Sequence, residues 1–167
     1  ILSILMAMVL PLSSFAQLKG SAENPFIISS ASDMEAFRDG INSGVAFPYW
    51  ADNTYEVKAR GEGQFFKVQK PSTVPYLLLS ATSWVPVGNS DAHSFKGSFD
   101  GNNIPIIYKM SATASSVTMS GLFGVVSSAT LKNIKVVPQV SAPQGFTYNM
   151  GGGVRLSFFS AMCFELL

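Results

Sequence analysis

The sequence predicts an all-β fold made of stacked short strands. Two observations carry this expectation. Across Ser83–Val137, short apolar segments alternate with turns rich in Gly, Asp, Asn and Ser. The segments also recur regularly, which favours a solenoid over a sandwich: in a solenoid each unit buries its face only against its neighbours. The 167 residues suit one domain, and Cys163 is the only cysteine, so no internal disulfide can form and stability must come from packing and backbone pairing.

Residues 1–16 read as a signal peptide with a truncated start. Ile1–Leu12 is almost wholly apolar, too short to span a bilayer, and Ser14 and Ala16 supply the small residues of a cleavage site after Ala16. Residues 17–24 read as a polar linker, and the domain is expected over 25–153. Pro25-Phe26-Ile27-Ile28 predicts the first strand. Ser32-Asp33-Met34-Glu35 reads as a capping box opening a helix at about 32–43, with Met34, Phe37 and Ile41 on one face and Asn42-Ser43-Gly44 as its stop. Thr54–Val57 alternates like a strand, Gly61-Glu62-Gly63 is a turn, and Gln64–Gln69 reads as a strand with Phe66 and Val68 facing inward. Pro71 and Pro75 bracket a loop. The run Tyr76–Leu79 suits a strand buried on both faces.

Trp84-Val85-Pro86-Val87-Gly88 is an apolar segment closed by glycine, and Phe95–Phe99 alternates. Asp100-Gly101-Asn102-Asn103 is a strong turn signal, since these residues tolerate positive φ or bond their own backbone. Ile104–Met110 predicts a strand broken by Pro105, and Leu122-Phe123 a shorter one. In Leu131–Val136, the apolar residues Leu131, Ile134 and Val136 all reach the core only if a turn or bulge sits near Asn133.

The order of these segments resembles the GLUG-repeat proteins, which are secreted or surface proteins of Bacteroidetes-type bacteria; the repeat also occurs beside the catalytic domain of IgA-cleaving zinc metallopeptidases. Trp84, Pro86 and Gly88 match a W-x-P-x-G element. Phe95, Gly97, Phe99, Asp100, Gly101 and Asn102 match F-x-G-x-F-D-G-N, with Ile106 as the following core residue. Gly121, Leu122, Phe123 and Gly124 match G-L-F-G, and Asn133 lies in L-K-N-I-x-V. The match spans about Gly20–Val137. It departs after D-G-N, where Asn103, Ile104 and Pro105 replace the usual Gly-His-Thr. The resemblance implies a right-handed β-helix-like solenoid with a short N-terminal capping helix. Met150–Val154 looks like the start of a further coil, and residues 154–167 read as a truncated or frame-shifted tail, with an edge-capping strand over 155–167 as the alternative.

Composition narrows the function. A net charge of +1 argues against nucleic acid, which needs a basic face, and supplies no polybasic membrane patch. The chain has one histidine, His93, and no His-Glu-x-x-His, so neither a zinc centre nor any cofactor is expected. No Gly-x-Ser-x-Gly elbow supports a serine triad. Paired carboxylates for glycoside hydrolysis would have to include Asp91 and Asp100, but Asp100 suits the D-G-N turn and only Glu165 follows it. Asp100-Gly101-Asn102-Asn103 has oxygen ligands for calcium but not the spacing of a calcium loop. Tyr49, Trp50 and Tyr55 form either an aromatic platform for a sugar or packing beneath a loop; large aromatics are usually buried, which favours packing. The expectation is a non-catalytic, secreted or cell-surface module for structure, adhesion or ligand binding. Its partner would be a host or dietary glycan or protein, not nucleic acid, and after signal cleavage it would not be an integral membrane protein. The alternatives are an accessory region of a large surface peptidase and a carbohydrate-active β-helix enzyme.

Overall fold

A computed structural model describes residues 18–110, 121–140 and 155–156 of the chain. The expected signal peptide, the Ser/Ala/Thr loop after Met110, the Met150–Val154 segment and most of the tail lie outside the described residues. In order, the elements are β1 (Phe26–Ile28), α1 (Ala31–Ser43), β2 (Phe47–Tyr49), β3 (Asp52–Val57), a 3-10 turn (Ala59–Gly61), β4 (Phe65–Val68), β5 (Leu77–Ser83), β6 (Ser98–Asp100), β7 (Pro105–Met110), β8 (Val125–Val126), β9 (Thr130–Lys132), β10 (Lys135–Val140) and β11 (Arg155–Leu156).

These strands assort into four small sheets. Three are parallel, ordered β1-β4-β6-β9, β10-β7-β5 and β11-β8; the fourth is the antiparallel pair β2-β3. In the first, Phe26 is in register with Phe66, Phe66 with Phe99, and Phe99 with Leu131, so one row of large apolar side chains crosses the sheet facing inward. The second repeats the pattern with Leu77, Ile106 and Val136. A strict alternation of side chains keeps the intervening residues on the outer face.

The expectation of an all-β, right-handed β-helix-like solenoid with a capping helix is corrected by this arrangement. The architecture is α/β-like: small parallel sheets, an antiparallel hairpin, and a helix that is part of the core. Met34, Phe37 and Ile41 are wholly buried. The Phe37 ring lies 4.7 Å from that of Phe66, 5.5 Å from Phe95 and 5.8 Å from Phe99, so α1 fills the interior between strands instead of closing an end. Turn chemistry placed the strands but carried no information on which side chains the helix would meet.

Local corrections have equally simple causes. The helix starts earlier than its sequence signal suggests. Ser30 is the cap: its hydroxyl accepts from the Asp33 N–H at 3.1 Å, and Asp33 Oδ2 accepts from the N–H groups of Ser29 and Ser30 at 2.9 and 3.0 Å. Ser-x-x-acid occurs twice in overlapping register, at Ser30/Asp33 and Ser32/Glu35, and the earlier box caps the helix. The stop falls at Gly44, whose φ of 71° places it in the left-handed region a helix end needs. In β5, Leu77 and Leu79 face the core while Leu78 is 51% exposed, so this strand is covered on one face and not both. The segment Leu131–Val136 is two strands, because Asn133 takes a φ of 52° between β9 and β10. The turn expected there is present, yet Val136 remains 37% exposed. Leu122-Phe123 is not a strand of its own; Phe123 makes a single bridge to Val87, and regular pairing starts at β8. Residues 18–24 carry a turn in which the Gly20 N–H donates to Asn24 O and Gly20 O accepts from the Phe65 N–H.

Candidate functional site

The motif residues meet at two corners of the fold. In the first, the W-x-P-x-G segment lies alongside G-L-F-G. The Val87 N–H donates to Leu122 O, Gly124 N–H to Val87 O, Val125 N–H to Gly88 O, and Phe95 N–H to Val125 O, all within 3.0 Å. The buried Trp84 indole donates to Leu122 O at 3.1 Å, and the Arg38 guanidinium lies 4.7 Å from the Trp84 ring centre. Pro86 is buried and its carbonyl accepts from Asn42 Nδ2 at 2.9 Å. Gly121 leads into this ladder, half-buried.

The second corner is Asp100-Gly101-Asn102-Asn103. Asn102 and Asn103 have φ of 52° and 56°. Asp100 Oδ1 accepts from the Asn102 N–H and from Asn133 Nδ2, each at 2.9 Å, while Oδ2 faces Lys132 Nζ at 3.5 Å. Partial burial pushes the Asp100 pKa up. The bonds from Asn133 and Asn102 and the Lys132 charge outweigh that effect and hold the carboxyl below its ordinary range. Asn102 Nδ2 reaches Val68 O at 3.2 Å, so one turn ties three successive segments together. Gly101 is required by close approach: a Cβ there would stand 2.5 Å from Asn133 O and 2.9 Å from Ile134 Cα. Gly97 is buried, and its carbonyl accepts from the Thr130 N–H at 3.0 Å. Phe95, Phe99, Phe123 and Ile106 are core residues.

The aromatics Tyr49, Trp50 and Tyr55 do not share a surface. Tyr49 is 4% exposed and packs 4.9 Å from Phe26; Trp50 is half-buried, 4.6 Å from Tyr49. Both donate to Ile27 O, from Tyr49 Oη at 3.3 Å and from Trp50 Nε1 at 3.2 Å. Burial raises the Tyr49 pKa, as it does that of Tyr108. Only Tyr55, on β3, is exposed. His93 is half-buried: its Nδ1 lies 3.2 Å from Asn89 Oδ1 and its ring packs over Gly44. Among the described residues, no group of three or more His, Cys, Asp or Glu side chains is placed to hold a metal ion, and no helix is long and apolar enough to cross a membrane.

Sequence reasoning missed Asn42, which it read only as part of the helix stop. Its Oδ1 accepts from the Gly88 and Asn89 N–H groups at 2.8 and 3.2 Å, so the end of α1 fixes the W-x-P-x-G loop. It also missed Gln64, buried and bonded to the Lys58 N–H at 2.7 Å and Glu56 O at 3.1 Å. No local signal marks either role, because both partners are distant or irregular backbone. Set against known proteins, the chain matches no family model, no curated protein and no solved structure.

Proposed function

We propose that this chain is a non-catalytic exported module of GLUG-repeat kinship that works by contact, as surface structure, adhesin or ligand-binding element. The observation that carries the reading is the engagement of Asp100. This carboxylate, one of the two weighed for glycoside chemistry, accepts two hydrogen bonds at one oxygen and faces a lysine with the other, as a turn-forming aspartate does. A general acid for glycoside hydrolysis needs a raised pKa, and this group is lowered. The other motif residues are occupied in the same way, by backbone ladders and core stacking. Export rests on the apolar segment and the small residues before Gln17. The partner would be a host or dietary glycan or protein.

The test is an array of glycans and extracellular proteins probed with the full chain. Saturable binding with no change in the bound molecule is expected. Depolymerisation of a polysaccharide, measured as new reducing ends and lost in Asp100→Asn, would overturn the proposal. Mass spectrometry of protein exported by an expressing bacterium should find an N-terminus at Gln17.

A further inference from the structure

Two Asn-Ser steps occur among the described residues, and the fold treats them in opposite ways. Asn42-Ser43 lies at the end of α1 with both ends of its amide engaged. Oδ1 accepts from the Gly88 and Asn89 N–H groups, and Nδ2 donates to Pro86 O. Asn89-Ser90 lies in irregular backbone between Gly88 and Phe95, with Asn89 exposed. Among the described residues, neither Asn89 Nδ2 nor the Ser90 N–H has an acceptor. The side-chain oxygen has one partner: His93 Nδ1 lies 3.2 Å from Asn89 Oδ1. An amide oxygen only accepts, so Nδ1 carries the proton and donates.

The end of α1 holds both members of this pair. The Asn89 N–H donates to Asn42 Oδ1 at 3.2 Å. The His93 ring packs over Gly44, where a Cβ would stand 2.6 Å from the ring Cδ2. Between them the His93 N–H donates to Ser90 O at 3.1 Å and folds the segment back on itself. A free backbone N–H therefore follows an exposed asparagine whose carbonyl already faces a fixed donor. That combination favours closure of the side chain onto the next backbone nitrogen, because donor and carbonyl are positioned before reaction.

We propose that Asn89 is a self-modifying site, deamidated by attack of the Ser90 nitrogen while His93 donates to the carbonyl under attack. A bond forms between Ser90 N and Asn89 Cγ, and the Ser90 amide proton passes to solvent. Negative charge collects on Oδ1, where the Nδ1–H already donates. The Cγ–Nδ2 bond then breaks, and Nδ2 takes a proton from solvent and leaves as ammonia. One water opens the resulting five-membered imide at either carbonyl, giving aspartate or isoaspartate at position 89. The isoaspartate product carries one extra carbon in the main chain. Its loop is closed at both ends on one residue: Gly88 O accepts from the Val125 N–H at 2.7 Å, and the Phe95 N–H donates to Val125 O at 3.0 Å. The reaction is a slow, one-way loosening of the W-x-P-x-G corner. It goes beyond the contact reading above and does not depend on it.

The full chain is aged at neutral pH in heavy-oxygen water, native and, in parallel, unfolded in guanidinium chloride. Peptide mapping by mass spectrometry follows label uptake at Asn89 and Asn42, with fragmentation that separates aspartate from isoaspartate. Asn89 should convert at least about fivefold faster in the native chain than in the unfolded one, the scale of one hydrogen bond gained in the intermediate. Asn42 should convert more slowly native than unfolded. His93→Phe keeps a ring over Gly44 but has no donor; it should lose the native acceleration at Asn89 and leave the unfolded rate unchanged. Native Asn89 converting no faster than unfolded Asn89 overturns the proposal. So does a wild-type native rate in His93→Phe. If that variant does not fold, the native-to-unfolded comparison on the wild type decides alone.

Discussion

Two edge strands, β1 of one parallel sheet and β10 of another, differ among the described residues in how they are finished. At β1, the side chains of Tyr49 and Trp50 turn back onto the edge, and both donate to Ile27 O. Phe26 beneath them is wholly buried, its ring 5.4 Å from that of Phe66 and 4.9 Å from that of Tyr49. At β10, no described element lies on the outer side, and Val136, which belongs to the same inward row as Ile106, is more than a third exposed. One edge has Ile27 O engaged twice and its apolar row sealed; at the other, among the described residues, the row ends on a partly exposed valine. A sheet edge is a template for pairing, so the side chains folded back onto β1 act as a protection.

The largest expected effect comes from breaking the sealed end. Phe26→Ala empties a position with three aromatic neighbours and should cost about 3–5 kcal/mol. Chemical denaturation should show it as a lower midpoint with an unchanged slope. A loss under about 1 kcal/mol would mean that the hairpin β2-β3 closes over the cavity, and the seal would then be adaptable. Trp50→Phe is milder. It keeps an aromatic ring and removes one donor from Ile27 O, so a loss of about 1 kcal/mol is expected, with Tyr49 still bonded. The double change Tyr49→Phe with Trp50→Phe should add concentration-dependent association, because it bares the β1 acceptor. Light scattering measures this directly.

Much of this contrast could be read from sequence at one end and little at the other. The residues Pro25–Ile28, the helix face Met34/Phe37/Ile41 and the stop at Gly44 were legible because they depend on local periodicity and on backbone angles that few residue types adopt. The D-G-N turn was legible for the same reason. The pairing of Tyr49 and Trp50 with a single carbonyl was not, since it joins residues 22 and 23 positions away. Nor was the fold class, because a turn-rich strand pattern does not say that a helix will share the core. The half-exposed Leu78 shows a further limit: an apolar run looks the same whether one face or two are covered.

Between the two edges, the Asp100 turn holds neighbouring segments together through Asn133, Lys132 and Asn102. Its folded pKa lies below the unfolded one, so its charged form contributes stability above the unfolded pKa, and that contribution is lost as pH falls through the folded value. The difference in melting temperature between wild type and Asp100→Asn should therefore be present at neutral pH and shrink as pH falls below the ordinary carboxylate value of 3.8. A difference that persisted unchanged in acid would mean that the side chain acts through turn geometry alone.

The smallest effect is expected at the open end and discriminates best. Val136 and Ile106 occupy matching positions in adjacent strands and point the same way. Ile106→Ala should cost about 2–5 kcal/mol, as a fully buried aliphatic does. Val136→Ala should cost under about 1 kcal/mol, because part of its surface is already in water and its loss leaves no closed cavity. The ratio of the two measures how open the edge is. If instead Val136→Ala costs the free chain as much as Ile106→Ala, the edge is already covered in solution. The asymmetry between the two edges would then not exist.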